Sequence, residues 1–306
     1  MWFDPAIVEA VRDLVPTWLG IVMVVLSYFG SVYLIAPGMI AAYWANRDLA
    51  APWIGGVIGC YGLMSITKSY HSASRPTVEP PVSSADFPSW FVPAYEHAAH
   101  ISTTSFPSGH AMAATIIVGM LVVDLPVSTF RRRLVAGIAA VGWVGFTRVG
   151  LGVHYHGDVV GGIAYGLGFL AVYYLARYTV VGRTSLDTTS VAFAVGLVVG
   201  LIAAVYVGSR NSYIVFGGAV GGLLAWYCAP TIARHTRNTV WETLAPVFGL
   251  AIVGLTWFVA ELELGTYAVM APLAALFLAA VVLVPWIAPT RELWTSAKRR
   301  SRRLAG

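Results

Sequence analysis

Between two apolar runs, the stretch RVGLGVHYHGDVVGG at residues 148–162 sets Arg148, His154, His156 and Asp158 within eleven positions. Ionisable side chains near lipid are costly, so a cluster of them marks a candidate functional site. His154 and Asp158 stand four apart, on one face if a helix begins near His154. A carboxylate so placed holds one ring nitrogen protonated and leaves the other free as a nucleophile. Two further stretches carry chemistry: KSYHSASRP brings Lys68 and Arg75, and SFPSGHAM brings Ser108, Gly109 and His110. Lys68, Arg75 and Arg148 supply three fixed positive charges, and guanidinium forks suit phosphate oxygens. Ser108 and Gly109 read as a helix opening whose amides and dipole favour an anion. His110 comes from a separate segment and is free to protonate a leaving oxygen. Phosphoryl transfer needs little beyond such charge stabilisation and an in-line nucleophile. Asp158 is the sole carboxylate in the three stretches, so the cations stand in place of a metal. A metal-independent site without a cofactor is expected.

The surrounding chain must hold these groups at a membrane. Of its 306 residues 58% are hydrophobic and only 11% charged, against roughly 25% charged in soluble domains. The expected fold class is all-α, a polytopic transmembrane helix bundle. Crossing about 30 Å of hydrocarbon takes about 20 apolar residues. Nine runs qualify by eye: 18–45, 50–69, 109–126, 132–152, 156–178, 188–208, 213–233, 243–262 and 267–288. The break TVVGRTSLD at 179–187 divides them into a core of about five spans and about four extra C-terminal spans. The expected domains are 1–183 and 184–306. Cys60 and Cys228 fall in apolar runs and imply no disulfide framework. Asp4 and Pro5 read as a helix start, with Ile7, Val8, Val11 and Leu14 on one face of a short interfacial helix.

Alternate loops of nine spans fall on opposite sides. One side takes Arg47, Arg131, Arg132, Arg133, Arg177, Arg183, Arg234, Arg237 and the six basic residues of the tail, fourteen of nineteen. By the positive-inside rule that side is cytoplasmic. The tail is read as topology and contact with anionic membrane lipids; no nucleic-acid partner is expected, and the oligomeric state is open. Lys68, Arg75 and Arg148 lie against this bias, at the outer ends of spans.

The pattern Lys-x6-Arg-Pro, then Pro-Ser-Gly-His, then Arg-x5-His-x3-Asp resembles the type 2 phosphatidic acid phosphatase (PAP2) superfamily. That superfamily includes membrane lipid phosphatases and soluble vanadium haloperoxidases. The resemblance covers roughly residues 50–165, departing at Thr147, where the family usually has serine. It implies that His154 becomes a phosphohistidine which water hydrolyses, with His110 as general acid and Asp158 orienting His154. The implied phosphate ligands are Lys68, Arg75, Ser108, Gly109 and Arg148.

The remaining histidines have plainer readings. His71, His97 and His100 are taken as surface or structural residues, and His156 is out of phase with Asp158. The glycines at 150, 152, 157, 161 and 162 are read as helix packing. The loop 71–106, with Phe87, Trp90, Phe91 and Tyr95, is expected to dip into the membrane as a lid. Together these imply a multi-pass cell-membrane lipid phosphatase acting on the outer face. Its substrate is a polyprenyl diphosphate, phosphatidic acid or a related lipid phosphate. A phosphotransferase using an alcohol acceptor and a non-enzymatic transporter or scaffold are the alternatives.

Overall fold

Asp4 and Pro5 start the first helix as their types predict. The Asp4 carboxylate accepts the Ala6 N–H at 3.0 Å, and Pro5 sits where a missing N–H costs nothing. The computed structural model describes residues 2–101, 103–236, 239–262 and 266–288, and its long elements there are all helices. They run α1 (Pro5–Asp13), α2 (Thr17–Ser27), α3 (Val32–Ala45), α4 (Arg47–His71), α5 (Val92–Ala99) and α6 (Gly109–Asp124). After them come α7 (Phe130–Gly150), α8 (His156–Val181), α9 (Thr188–Tyr206), α10 (Arg210–Thr236), α11 (Thr239–Glu261) and α12 (Met270–Ile287).

The nine expected spans are not all unbroken helices. Among the described residues five are long and apolar enough to cross a membrane: α4, α8, α9, α10 and the Tyr267–Ile287 segment that contains α12. Counting Pro5–Asp13 and Thr17–Gly30 as one span bent by 115° makes six. The run 18–45 is interrupted by a 3-10 turn at Tyr28–Gly30, which leaves α3 only 14 residues. α6 has 16 residues, about 24 Å at 1.5 Å each, short of the hydrocarbon thickness. α7 is long enough but carries Arg131, Arg132 and Arg133 at one end and Arg148 at the other. The run 243–262 lies in α11, several of whose side chains fall outside the described residues, as do Arg237 and the basic tail. Hydropathy registers an apolar run whether or not its backbone is one straight helix.

The chain forms two compact units. The first comprises residues 1–36 and 63–174, the second 37–62 and 175 onward, so the divisions fall inside α3, α4 and α8. They do not coincide with the expected division at 183/184, because residues 37–62 group with the C-terminal helices. In that second unit Gly55 of α4 lies against the backbone of Ala192 in α9, where an added Cβ would come within 2.5 Å. The Tyr43 hydroxyl donates to the Val282 carbonyl at 2.8 Å and the Trp44 indole to Val281 at 3.1 Å.

The first unit holds every predicted site residue. α1 does not lie free on the interface: Val8 is fully buried and Val11 packs with Ala111, Val149 and Val159, while Ile7 and Leu14 stay exposed. The 71–106 segment also differs from the membrane-dipping lid. Tyr95 is buried and its hydroxyl donates to the Val82 carbonyl at 2.7 Å. Phe87 stacks on both Tyr95 and Phe91, and these rings pack with Met23, Val24, Leu151 and Val153. Only Trp90 of the four aromatic residues is exposed. Burying three rings on α2 and the end of α7 removes more apolar area from water than one exposed ring offers to lipid.

Gly162 shows why α8 needs small residues. A Cβ there would sit 2.5 Å from the Ser108 carbonyl oxygen, so α8 meets the start of α6 backbone to backbone. Gly168, on the same helix, has nothing within 4 Å of its would-be Cβ. Both substitutions to alanine gain the same helix propensity, about 1 kcal/mol. Gly168→Ala should therefore leave the detergent-solubilised melting temperature unchanged or higher. Gly162→Ala should lower it by about 3 °C or more, a loss of about 1 kcal/mol; equal melting temperatures would contradict this packing.

Candidate active site

Four segments converge at one end of the first unit: the end of α4 with the stretch after it, the segment leading into α6, the end of α7, and the turn into α8. Asp158 is fully buried in the first turn of α8, where the helix dipole favours an acid. α8 begins at His156, two residues later than a shared helical face with His154 requires. The pair still meets, Nδ1 to Oδ2 at 3.1 Å, because the carboxylate turns back like a cap. The same Oδ2 accepts the Tyr155 N–H at 2.9 Å and the Ser105 hydroxyl.

Arg75 fixes the tautomer. Its Nη1 lies 3.0 Å from His154 Nε2. A guanidinium can only donate, so Nε2 presents a lone pair and Nδ1 carries the proton toward Asp158. The same Nη1 donates to the Val153 carbonyl, and Nε donates to Thr103, both at 2.6 Å. Burial lowers the Arg75 guanidinium to about 10, opposed by Asp158, which leaves it charged at neutral pH. Burial first, then Arg75, Arg148 and Lys68, hold the His154 imidazole well below its usual value. His154 is thus neutral at physiological pH.

Lys68, near the end of α4, donates its ammonium to the Thr104 carbonyl. Arg148 is fully buried, with Nη2 donating to the Ala98 carbonyl of α5 at 2.8 Å. Its Nε and Nη1 are buried with no hydrogen-bond partner among the described residues. Buried donors left bare are uncommon and costly. Two bare guanidinium donors beside an imidazole lone pair suit a phosphate's oxygens.

The Ser108 amide does not serve the anion as expected. Its N–H donates to the Asp158 carbonyl at 2.9 Å, and its hydroxyl caps α6 by accepting the Ala111 N–H at 3.5 Å. Helix geometry leaves the N–H groups of Gly109 and His110 without an intrahelical acceptor, which moves any amide contribution one position along. Gly109 is closely approached by Met64, and Gly30 packs against the His110 backbone. The His110 side chain lies within electrostatic reach of Arg148, His154 and Arg75. The structure thus brings Lys68, Arg75, His110, Arg148, His154 and Asp158 together.

Other histidines are engaged elsewhere. His71 pairs with the Tyr165 hydroxyl at 2.9 Å, His97 packs edge-on to Tyr33, and His100 pairs with Glu96 at 2.7 Å. His156 stacks under Trp2. Among the described residues no three His, Cys, Asp or Glu side chains are grouped to hold a metal ion. Sequence reasoning missed Ser105, whose hydroxyl touches Asp158 and lies 3.4 Å from His154 Nδ1. A lone serine ahead of Phe106 and Pro107 gives no spacing signal.

Residues 50–182 match the model of the PAP2 superfamily. A stretch of 75 residues is 45% identical to phosphatidylglycerophosphatase B of Bacillus subtilis, covering 22% of this chain and 36% of that protein. Another of 70 residues is 39% identical to lipid A 1-phosphatase of Rhizobium johnstonii, covering 23% of this chain and 27% of that one. This chain therefore spans about a third of the length of the curated relatives it matches. The crystal structure of a transmembrane PAP2-type phosphatidylglycerolphosphate phosphatase from Bacillus subtilis is similar at 26% identity and TM-score 0.44. That likeness covers 55% of this chain and 81% of the other.

The charge setting of His154 has a direct consequence. A pKa depressed below 6.5 keeps the ring neutral at pH 6.5, and it charges only as pH falls further. Nitrogen-15 spectra of histidine-labelled protein, with His154→Gln used to assign the signal, should show a neutral Nδ1–H tautomer at pH 6.5. A His154 midpoint at or above 6.5 would contradict the electrostatics described.

Proposed function

We propose that this chain, which belongs to the PAP2 superfamily through residues 50–182, is an integral-membrane phosphatase that hydrolyses phosphorylated lipids through a phosphohistidine. The observation that carries the reading is the oriented His154: Nδ1–H on Asp158, with the Nε2 lone pair turned to the Arg75 guanidinium near the unsatisfied donors of Arg148.

In the first step the Nε2 lone pair attacks phosphorus in line with the lipid oxygen. An N–P bond forms as the P–O bond breaks, and the leaving oxygen takes a proton from His110, which carries one once the bound phosphate offsets the nearby cations. Lys68, Arg75 and Arg148 neutralise the charge spread over the equatorial oxygens, and Asp158 balances the imidazolium that develops. In the second step water attacks phosphorus while His110 takes its proton. The N–P bond breaks, inorganic phosphate leaves, and His154 recovers its lone pair. The two relatives are named for phosphorylated membrane lipids. This supports a phosphate or diphosphate lipid, polyprenyl diphosphate or phosphatidic-acid-like, as the substrate class. The cations alone meet the charge requirement, so activity is expected to be metal-independent.

Read on the nine-span alternation from which it was counted, the fourteen-to-five division of basic residues supports an outward-facing site. Ser84 is exposed in the 71–106 segment, whose carbonyls hold Lys68, Arg75 and Arg148, and Ser185 lies beyond α8, which is long enough to cross the membrane. In a Cys228→Ser background, Ser84→Cys should label with an impermeant thiol reagent on intact cells and Ser185→Cys only after lysis. The reverse pattern would put catalysis in the cytoplasm.

Phosphate release from a panel of phosphatidic acid, phosphatidylglycerophosphate and polyprenyl diphosphate, assayed in EDTA, tests the reaction itself. Wild type should be active on at least one. His154→Ala should fall below detection while remaining folded in the membrane, and Asp158→Asn should lose about a hundredfold. Near-normal turnover by His154→Ala, or activity that EDTA abolishes and magnesium restores, would overturn the mechanism.

A further inference from the structure

Asp158 has two oxygens in unequal settings. Oδ2 accepts from His154 Nδ1, the Tyr155 amide and the Ser105 hydroxyl, whereas Oδ1 is buried with no hydrogen-bond partner among the described residues. A half-turn of the carboxylate would exchange them, and His154 follows whichever oxygen faces it. His154, Tyr155 and Asp158 all belong to one turn, so two of the three contacts to Oδ2 move with it. Ser105 does not. It is fully buried, and its own N–H is anchored to the Ala73 carbonyl at 2.8 Å, in the stretch that carries Arg75.

We propose that Ser105 is a positioning residue for the nucleophile, acting through Asp158. The hydroxyl proton goes to Oδ2, because an ionised carboxylate only accepts. The Ser105 oxygen lies 3.4 Å from His154 Nδ1, on the protonated side of the ring. Ser105 thereby ties the orientation of the His154 ring to the segment that bears His110 and to the stretch that bears Arg75. When Nε2 bonds to phosphorus the ring becomes cationic, and the carboxylate must already face it. A carboxylate held by a fixed donor need not reorganise at that moment. The inference rests on the phosphohistidine reading and adds to it the residue that sets the nucleophile's angle.

A double-mutant cycle between Ser105 and Asp158 tests it. Ser105→Ala should lower kcat about tenfold with KM unchanged, since the hydroxyl touches no substrate. Ser105→Cys keeps the volume but donates weakly, and should lose rate likewise. In an Asp158→Asn background, Ser105→Ala should change the rate less than about twofold. The same cycle is read on orthovanadate affinity, which reports Nε2 bonding to a phosphate mimic even where turnover is too slow to follow. Independent, multiplying losses in both readouts, or wild-type kcat in Ser105→Cys, would overturn the assignment. His154→Ala runs alongside: turnover there defeats the nucleophile itself, whereas multiplying losses with His154→Ala inactive defeat only the role of Ser105.

Discussion

A carboxylate and an imidazole are buried side by side with three cations around them, and the first unit is organised about that constraint. One negative charge faces three positive ones in surroundings that hydrate neither well. Unpaired charge of this kind is strongly unfavourable in an apolar interior. The imbalance, about two positive charges, is close to what a phosphate monoester carries at neutral pH. Unsatisfied donors on Arg148 belong to the same imbalance. In the reaction proposed above, such a field is already set for the phosphate, so little reorganises when that group arrives.

Among the described residues no second carboxylate pairs with these cations, and backbone carbonyls take over the work of aiming them. Lys68 is held by Thr104, Arg75 by Thr103 and Val153, and Arg148 by Ala98. Carbonyl dipoles fix direction without cancelling charge. This gives the 71–106 segment its character. Ala98, Thr103 and Thr104 all lie in it, so it is a scaffold for the three cations, and its rings pack inward to keep those carbonyls in place. A freely moving lid could not aim Arg148.

The chemistry was more legible in the sequence than the architecture. Titratable residues in an apolar chain stand out, and their spacing led to His110, Arg148, His154 and Asp158, which the fold does bring together. Helix starts with a strong local cause, Asp4 and Ser108, were equally plain. What sequence did not disclose depends on tertiary partners. The inward turn of Tyr95 and Phe87 requires a surface on α2 that no local pattern announces. The Ser108 amide looked free until Asp158 folded onto it. Apolar run length suggested nine spans where five or six qualify among the described residues, because the 3-10 turn at Tyr28–Gly30 and the charged ends of α7 leave the run's composition almost unchanged. Ser105 was invisible because its meaning is a contact fifty-three positions away.

Trp2 and Phe3 reach across the turn that carries His154. The Trp2 carbonyl accepts the Gly157 N–H at 3.1 Å, the Trp2 ring stacks on His156, and Phe3 meets Tyr155 and Phe106 edge-on. In the order of synthesis this contact waits: residues 2 and 3 leave the ribosome long before residue 157 exists. The turn's contacts close only once α8 exists, so the end of the first unit that holds His154 is assembled after most of the helices that support it.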